Sequence, residues 1–311
     1  MISTDTKPLG KTEITVPSLC IGTWAWGDSL FWQYGKNYGE ADVEQAFTAA
    51  IRAGVNFFDT AEVYGQGKSE ELLGQFIQKT DQPVLMATKY GPLPWRVWGA
   101  SVADAVTASL KRLQLSQVAL YQVHWPFTFF MSQEILMNAL ADEVKQGRIL
   151  AVGVSNYSAE EMYQAAEILA KRGVSLATNQ VRYSLLSRKV EAKGIVATAR
   201  ELGVSILAYS PLAQGLLTGK YTASNPPSGA RQFDAKFGQK GLEKIEPVLA
   251  KMHQIGEKYG KTLAQVALNW LNFQPEIIAI AGAKTASQVE DNVGALGWQM
   301  TQEEWQQLET I

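Results

Sequence analysis

The chain has 311 residues, 46% of them hydrophobic and 19% charged, which is ample to bury a core and sits at the upper end of single-domain size. Its 28 Lys and Arg offset 30 Asp and Glu to a formal net charge of -2, so no bulk field draws it to nucleic acid or to a membrane surface, and small molecules are the expected partners. Cys20 is the only cysteine, which excludes an intrachain disulfide and a cysteine-based zinc site; no metal is expected. Residues 1–10 lack the apolar segment of a signal peptide, and no stretch approaches ~18 uninterrupted apolar residues, so the expectation is a soluble, unprocessed, cytoplasmic protein.

Lys7–Leu9 and Ile14–Val16 flank the Gly10–Lys11 pair and predict a small hairpin. Eight apolar runs of strand length follow, at 18–22, 55–58, 84–88, 119–123, 150–154, 176–178, 205–208 and 277–281. Segments of helical period lie between them. Val43, Ala46, Phe47, Ala50 and Ile51 share one face, and Gly54 suits a left-handed cap. Ser101 with Asp104, and Ser158 with Glu161, have the spacing of N-terminal capping boxes. Residues 213–242 hold five glycines with Pro226 and Pro227, and read as a long loop of the kind that covers a site. Apolar strands alternating with helices imply a parallel sheet covered on its faces. Eight such units match a closed (β/α)8 TIM barrel, one α/β domain spanning 1–311, with the hairpin on its floor and the long loop after its seventh strand.

In such barrels the loops at the C-terminal strand ends converge on one mouth. The residues there are Gly22–Thr23–Trp24, Asp59, Lys89, His124, Ser155–Asn156, Gln180, Tyr209–Ser210 and Gly282–Ala283–Lys284, with Tyr64 five residues beyond Asp59. A phenol titrates near ~10, so Tyr64 needs a neighbouring cation to favour the phenolate left by proton donation. Lys89 supplies that charge, Asp59 holds the lysine as ammonium, and His124 serves as a second donor toward a carbonyl oxygen. Ser155, Asn156 and Gln180 bring hydroxyl and carboxamide groups to the rim, and Tyr209 offers a flat ring face. Lys284, ahead of a helix carrying Gln288, Asp291 and Asn292, suits a phosphate. Lys220 and Arg231 add two basic side chains in the long loop. Trp24, Trp26, Trp32, Trp95, Trp98 and Trp125 crowd the same rim; of these Trp24, Trp32, Trp95 and Trp125 are expected to wall an aromatic substrate pocket, and Arg96 to face solvent or an anionic substrate group.

The segments LCIGTWAWG (19–27), NFFDTAEVYG (56–65), ATKY (87–90), YQVHWP (121–126), AVGVSNYS (151–158), TNQVRYSLL (178–186), AYSPLAQGLLTGKY (208–221) and AGAKTASQVEDN (281–292) together resemble the aldo-keto reductases, and by HWP, GKY and the GALGW run at 294–298 the chain is most similar to those of cyanobacteria and plant chloroplasts. The resemblance implies NADPH-dependent reduction of aldehydes and ketones. In it Tyr64 is the general acid, Lys89 and Asp59 lower its pKa, and His124 directs the carbonyl. It further assigns Gly22, Thr23, Trp24, Asp59, Ser155, Asn156, Gln180, Tyr209, Ser210, Pro211, Leu212, Gln214, Lys220, Arg231, Gly282, Lys284, Gln288, Asp291 and Asn292 to NADPH or NADP+. Lys284 matches the position that meets the 2′-phosphate, and Gln288 departs from an arginine common there.

Three other readings compete. Tyr64 and Lys68 spell the Tyr-x-x-x-Lys pair of short-chain dehydrogenases, but the glycine-rich Gly65-Gln66-Gly67 follows the tyrosine instead of preceding it. Lys89 could serve a Schiff-base aldolase. A barrel that binds NADPH and senses redox state for a partner protein is the non-enzymatic alternative, against which the histidine at 124 argues.

Overall fold

The computed structural model describes residues 5–126, 129–222, 224–227 and 233–310. The hairpin strands β1 (Thr6–Pro8) and β2 (Thr15–Pro17) pair antiparallel. Eight parallel strands then close on themselves: β3 (Leu19–Gly22), β4 (Phe57–Asp59), β5 (Leu85–Tyr90), β6 (Val118–Val123), β7 (Ile149–Ser155), β8 (Leu176–Arg182), β9 (Ser205–Tyr209) and β10 (Ile277–Gly282), with β10 pairing β3. Around them run α1 (Glu40–Arg52), α2 (Lys68–Ile77), α3 (Ala100–Leu113), α4 (Gln133–Lys145), α5 (Ala159–Ala170), α6 (Lys189–Ala192), α7 (Ile195–Leu202), α8 (Gln239–Tyr259), α9 (Leu263–Asn272), α10 (Ala286–Val293) and α11 (Gln302–Glu309). This is the expected (β/α)8 barrel with its hairpin. Among the described residues no helix is long and apolar enough to cross a membrane.

Side chains alternate along a strand, and here that period sorts the barrel into layers. Cys20, Phe57, Ala87, Leu120, Ala151, Ala177, Leu207 and Ile278, one from each strand, form a buried interior cluster that Leu9 and Val16 of the hairpin segment complete. Lys7 ties the hairpin to the same end, its ammonium donating to the carbonyls of Asn272, Gln274 and Ile277 at 2.6–2.8 Å. Two residues farther along, the same inward face turns polar, with Asp59, Lys89 and Gln122 all buried. β8 reaches this layer through a bulge. Val152 pairs with Leu176 but Gly153 with Thr178, so Ala177 is the extra residue. Ala177 fills the apolar layer, Thr178 and Gln180 face inward above it, and Asn179 faces out to bond the Tyr157 carbonyl. Gly153 leaves the room this needs, since a Cβ there would lie 2.1 Å from Thr178 Oγ1.

Three local expectations are corrected. The Ser158–Glu161 capping box forms, but α3 starts at Ala100 with Gly99 at its cap, which places Ser101 and Asp104 inside the helix. The segment 213–242 is not all loop: a 3-10 turn spans Ala213–Thr218, and α8 begins at Gln239. Gly241 therefore lies in a helix, where the Lys236 carbonyl, 2.4 Å from the position of an added Cβ, accounts for the glycine. Finally, β8 runs four residues past the expected end at Thr178 because its polar tail pairs with β9 as regularly as its apolar start does.

Candidate active site

The four residues singled out from the sequence meet at the C-terminal mouth. Asp59 ends β4, Lys89 stands one residue before the end of β5, and His124 follows β6. Tyr64 is held in a 3-10 turn after β4, where Gly65, Gln66 and Gly67 take φ values of 55°, 57° and 95°. A side chain at Gly65 would stand 2.6 Å from the Gly27 carbonyl, so the turn lies flat against the loop after β3. Lys89 Nζ donates to Asp59 Oδ2 at 2.6 Å, to the Thr60 carbonyl at 2.7 Å and to Tyr64 Oη at 3.3 Å. Asp59 Oδ1 accepts from Gln180 Nε2 at 2.7 Å and from Gln122 Nε2 at 3.2 Å. A buried carboxylate with so many donors is a stable counter-ion.

Gln122 was missed in the sequence. Its signal is a lone amide in the apolar run of β6, two residues before His124 and so on the same inward face. Thr23 is placed differently from expectation: buried, its hydroxyl hydrogen-bonds the Asp59 carbonyl and Ser69, so it supports the strand end from behind. The Tyr-x-x-x-Lys reading fails, since Lys68 pairs with Glu71 on the surface while Tyr64 takes Lys89. The aldolase reading also fits poorly, because a nucleophilic amine must be neutral. Burial pulls Lys89 down, yet the Asp59 carboxylate and Tyr64 more than reverse it and hold the ammonium above its ordinary value.

Tyr64 corrects a second expectation. Burial pushes its phenol up; Lys89 works against that push and Asp59 adds to it, and the net direction is upward. The lysine thus moderates a cost that burial imposes. His124 is pushed down to about 3 from 6.5, by burial first and then by the Lys89 charge. The imidazole is therefore neutral, and one ring N–H can donate without adding charge. The unfolded chain binds a proton below about pH 6.5 that the folded chain refuses until about pH 3, so this stability is present above pH 6.5 and is lost as pH falls toward 3. Urea midpoints at pH 7 and pH 4.5 should accordingly fall more in the wild type than in His124→Phe. Equal falls would contradict a neutral buried imidazole.

A cavity of about 830 Å³ opens on Tyr64 and His124 and extends to Lys284 and Asn292. Every residue expected to hold the dinucleotide lines it except Thr23 and Arg231, the latter outside the described residues. Tyr209 Oη donates to Asn156 Oδ1 at 3.0 Å, and Asn156 Nδ2 donates to Ser155 Oγ at 3.0 Å, which locks that side of the wall. At the far end the Lys284 N–H is bonded by Gln288 Oε1 at 2.8 Å, and the Lys284 ammonium lies over the Tyr38 and Trp32 rings at 4.2 and 4.7 Å. Asp291 accepts from Thr262 and Gln265. Two buried polar atoms in the wall, His124 Nδ1 and Asn292 Nδ2, have no hydrogen-bond partner among the described residues, so the residues present fit a ligand rich in polar groups.

The aromatic expectation divides. Trp24 and Trp32 line the cavity, with Trp24 stacked on Phe31 at 5.1 Å and 6.2 Å from the Tyr64 ring. Trp125 packs on His124 at 4.7 Å but lies outside the lining, and Trp95 and Trp98 are exposed, 72% and 73%, and also outside it. Trp26 is core, its indole bonded to the Ala283 carbonyl. Arg96 neither faces solvent nor the cavity: it pairs with Glu62 and the Gly91 carbonyl and clamps the loop after β5 to the segment before Tyr64.

The model of the Aldo/keto reductase family matches residues 18–311. The chain is 39% identical over 308 residues to a chloroplastic pyridoxal reductase of Arabidopsis thaliana, covering 95% of this chain and 83% of that one. It is 31% identical to an NADH-specific methylglyoxal reductase of Escherichia coli over 93% and 92% of the two chains. Among solved structures, a glycerol dehydrogenase from Gluconobacter oxydans superposes with a TM-score of 0.87 at 29% identity, covering 99% of this chain and 95% of that one. With barrel, mouth and match spanning nearly its whole length, the chain belongs to the aldo/keto reductase family, an oxidoreductase family that acts on carbonyl compounds with nicotinamide cofactors.

Proposed function

We propose that this chain, as one barrel domain, reduces aldehydes or ketones to alcohols with NADPH, and that Tyr64 gives the proton. The observation that carries the reading is the Tyr64 hydroxyl, 3.3 Å from the buried Lys89 ammonium and opening on the same cavity as a neutral His124. His124 donates a hydrogen bond to the carbonyl oxygen and turns it toward Tyr64. As charge grows on that oxygen, the phenol proton transfers to it, and Lys89 stabilises the phenolate left behind. Asp59, anchored by Gln122 and Gln180, keeps the lysine charged throughout. The dinucleotide, when bound, supplies the hydride that no side chain can. Gly22, Asn156, Gln180 and Tyr209 would hold its nicotinamide end, Ser210, Leu212, Gln214 and Lys220 its middle, and Lys284 with Asn292 its adenosine end. Trp24 and Trp32 would face the substrate. A reducing, cytoplasmic setting suits the buried thiol of Cys20.

NADPH is preferred on this reading because Lys284 would meet the 2′-phosphate, although one relative is NADH-specific and Gln288 offers no charge. Lys284→Ala is expected to weaken NADPH binding about tenfold and NADH binding little. Fluorescence titration of both dinucleotides checks this, and equal weakening would place the 2′-phosphate elsewhere. The main test follows nicotinamide oxidation across aldehydes and ketones with both cofactors, starting with pyridoxal, the substrate in the name of the Arabidopsis relative. Tight dinucleotide binding with no turnover anywhere in the panel would favour the redox-sensing module.

A further inference from the structure

The arginine that the sequence offers to an anionic substrate, Arg96, is committed to Glu62. A different arginine stands at the mouth. Arg182 is the last residue of β8, and the bulge at Ala177 sets its phase: Gln180 pairs with inward Leu207, Val181 with outward Ala208, and Arg182 with Tyr209, which lines the cavity. By that phase Arg182 lies on the inward face one layer above Gln180, at the outer rim beyond the residues that line the cavity. It is exposed, and its side chain has no hydrogen bond or ion pair among the described residues. Its charge is felt by the Tyr209 phenol, where it works against the upward push of burial. Asp234, a nearby counter-charge, is already paired with Lys236 at 2.9 Å.

Barrel order decides which ligand this cation faces. Lys220 and Lys284 follow β9 and β10, whereas Arg182 ends β8, on the side of Tyr209 toward Asn156 and His124. Asn156 links the two flanks, accepting from Tyr209 Oη and donating to the His124 carbonyl at 3.4 Å. We propose that Arg182 is a specificity-determining residue that recognises a carboxylate or phosphate group on the carbonyl substrate, a reading that rests on the reductase function above. A planar guanidinium suits such a group, which it can bind through two parallel hydrogen bonds.

Matched aldehydes with NADPH test this: 4-carboxybenzaldehyde against 4-methylbenzaldehyde, and pyridoxal 5′-phosphate against pyridoxal. The wild type should favour the anionic member of at least one pair in kcat/KM. Arg182→Gln should lower that preference about tenfold through KM, Arg182→Glu should lower it further, and high salt should erode it. The same preference in wild type and both variants, for both pairs, overturns the proposal. A loss of NADPH affinity in Arg182→Gln with the preference intact also overturns it, since the arginine would then serve the dinucleotide. Failure of the reductase reading looks different: no aldehyde is turned over by the wild type. In that event calorimetric titration with 4-(hydroxymethyl)benzoate decides the arginine alone, a weaker affinity in Arg182→Gln supporting it and an equal affinity overturning it.

Discussion

Tyr64→Phe is expected to lower kcat by about 10²–10⁴-fold, the range for loss of a positioned general acid, while NADPH affinity stays nearly unchanged. Among the described residues the hydroxyl's hydrogen bond is to Lys89, so removing it disturbs no other described part of the wall. The ring keeps its packing against Trp24 and His124. Single-turnover reduction with bound NADPH isolates the chemical step, and fluorescence titration reports the dinucleotide. Turnover near the wild-type rate would remove Tyr64 as the acid and direct attention to His124.

The second large effect concerns the Lys89–Asp59 pair, whose side chains are 0% and 4% exposed. Lys89→Met strands a buried carboxylate and is expected to cost about 3–5 kcal/mol of stability, measured by urea unfolding. Adding Asp59→Asn removes the stranded charge, so the double variant should regain most of that stability. It should not regain activity, because no cation then stabilises the Tyr64 phenolate. Stability and turnover thus separate in the double variant. Parallel recovery of both would show that the pair serves the fold alone.

The barrel was legible because each strand announces itself locally. Runs such as VALYQV and ILAVGV are apolar on both faces, as parallel strands buried between helices and interior must be. Asp59, Lys89 and His124 were legible for the same reason: a charged residue at the end of an apolar run is conspicuous, and barrel geometry sends such ends to one rim. The aromatic wall was legible only in part. Trp24, Trp26, Trp95 and Trp125 all follow strands, yet one lines the cavity, one is core, one is exposed and one packs on His124. A loop residue's direction depends on how the loop folds back, and no periodicity encodes that.

Eight apolar runs alternating with helical segments determined the barrel, the rim that carries the chemistry and the acid, cation and counter-ion standing there. Only tertiary structure decided the net upward push on the Tyr64 phenol, because burial is a property of the assembled mouth. The sequence set Gln180 on the rim, but the bulge that turns it and Arg182 inward was beyond it. In an unbroken alternation from Ala177 both would face the helices, and the extra residue opposite Gly153 reverses their phase. Such a bulge is stabilised by what its neighbours leave room for, here a glycine beside Gln122 and Thr178, and that fit exists only once three strands lie side by side.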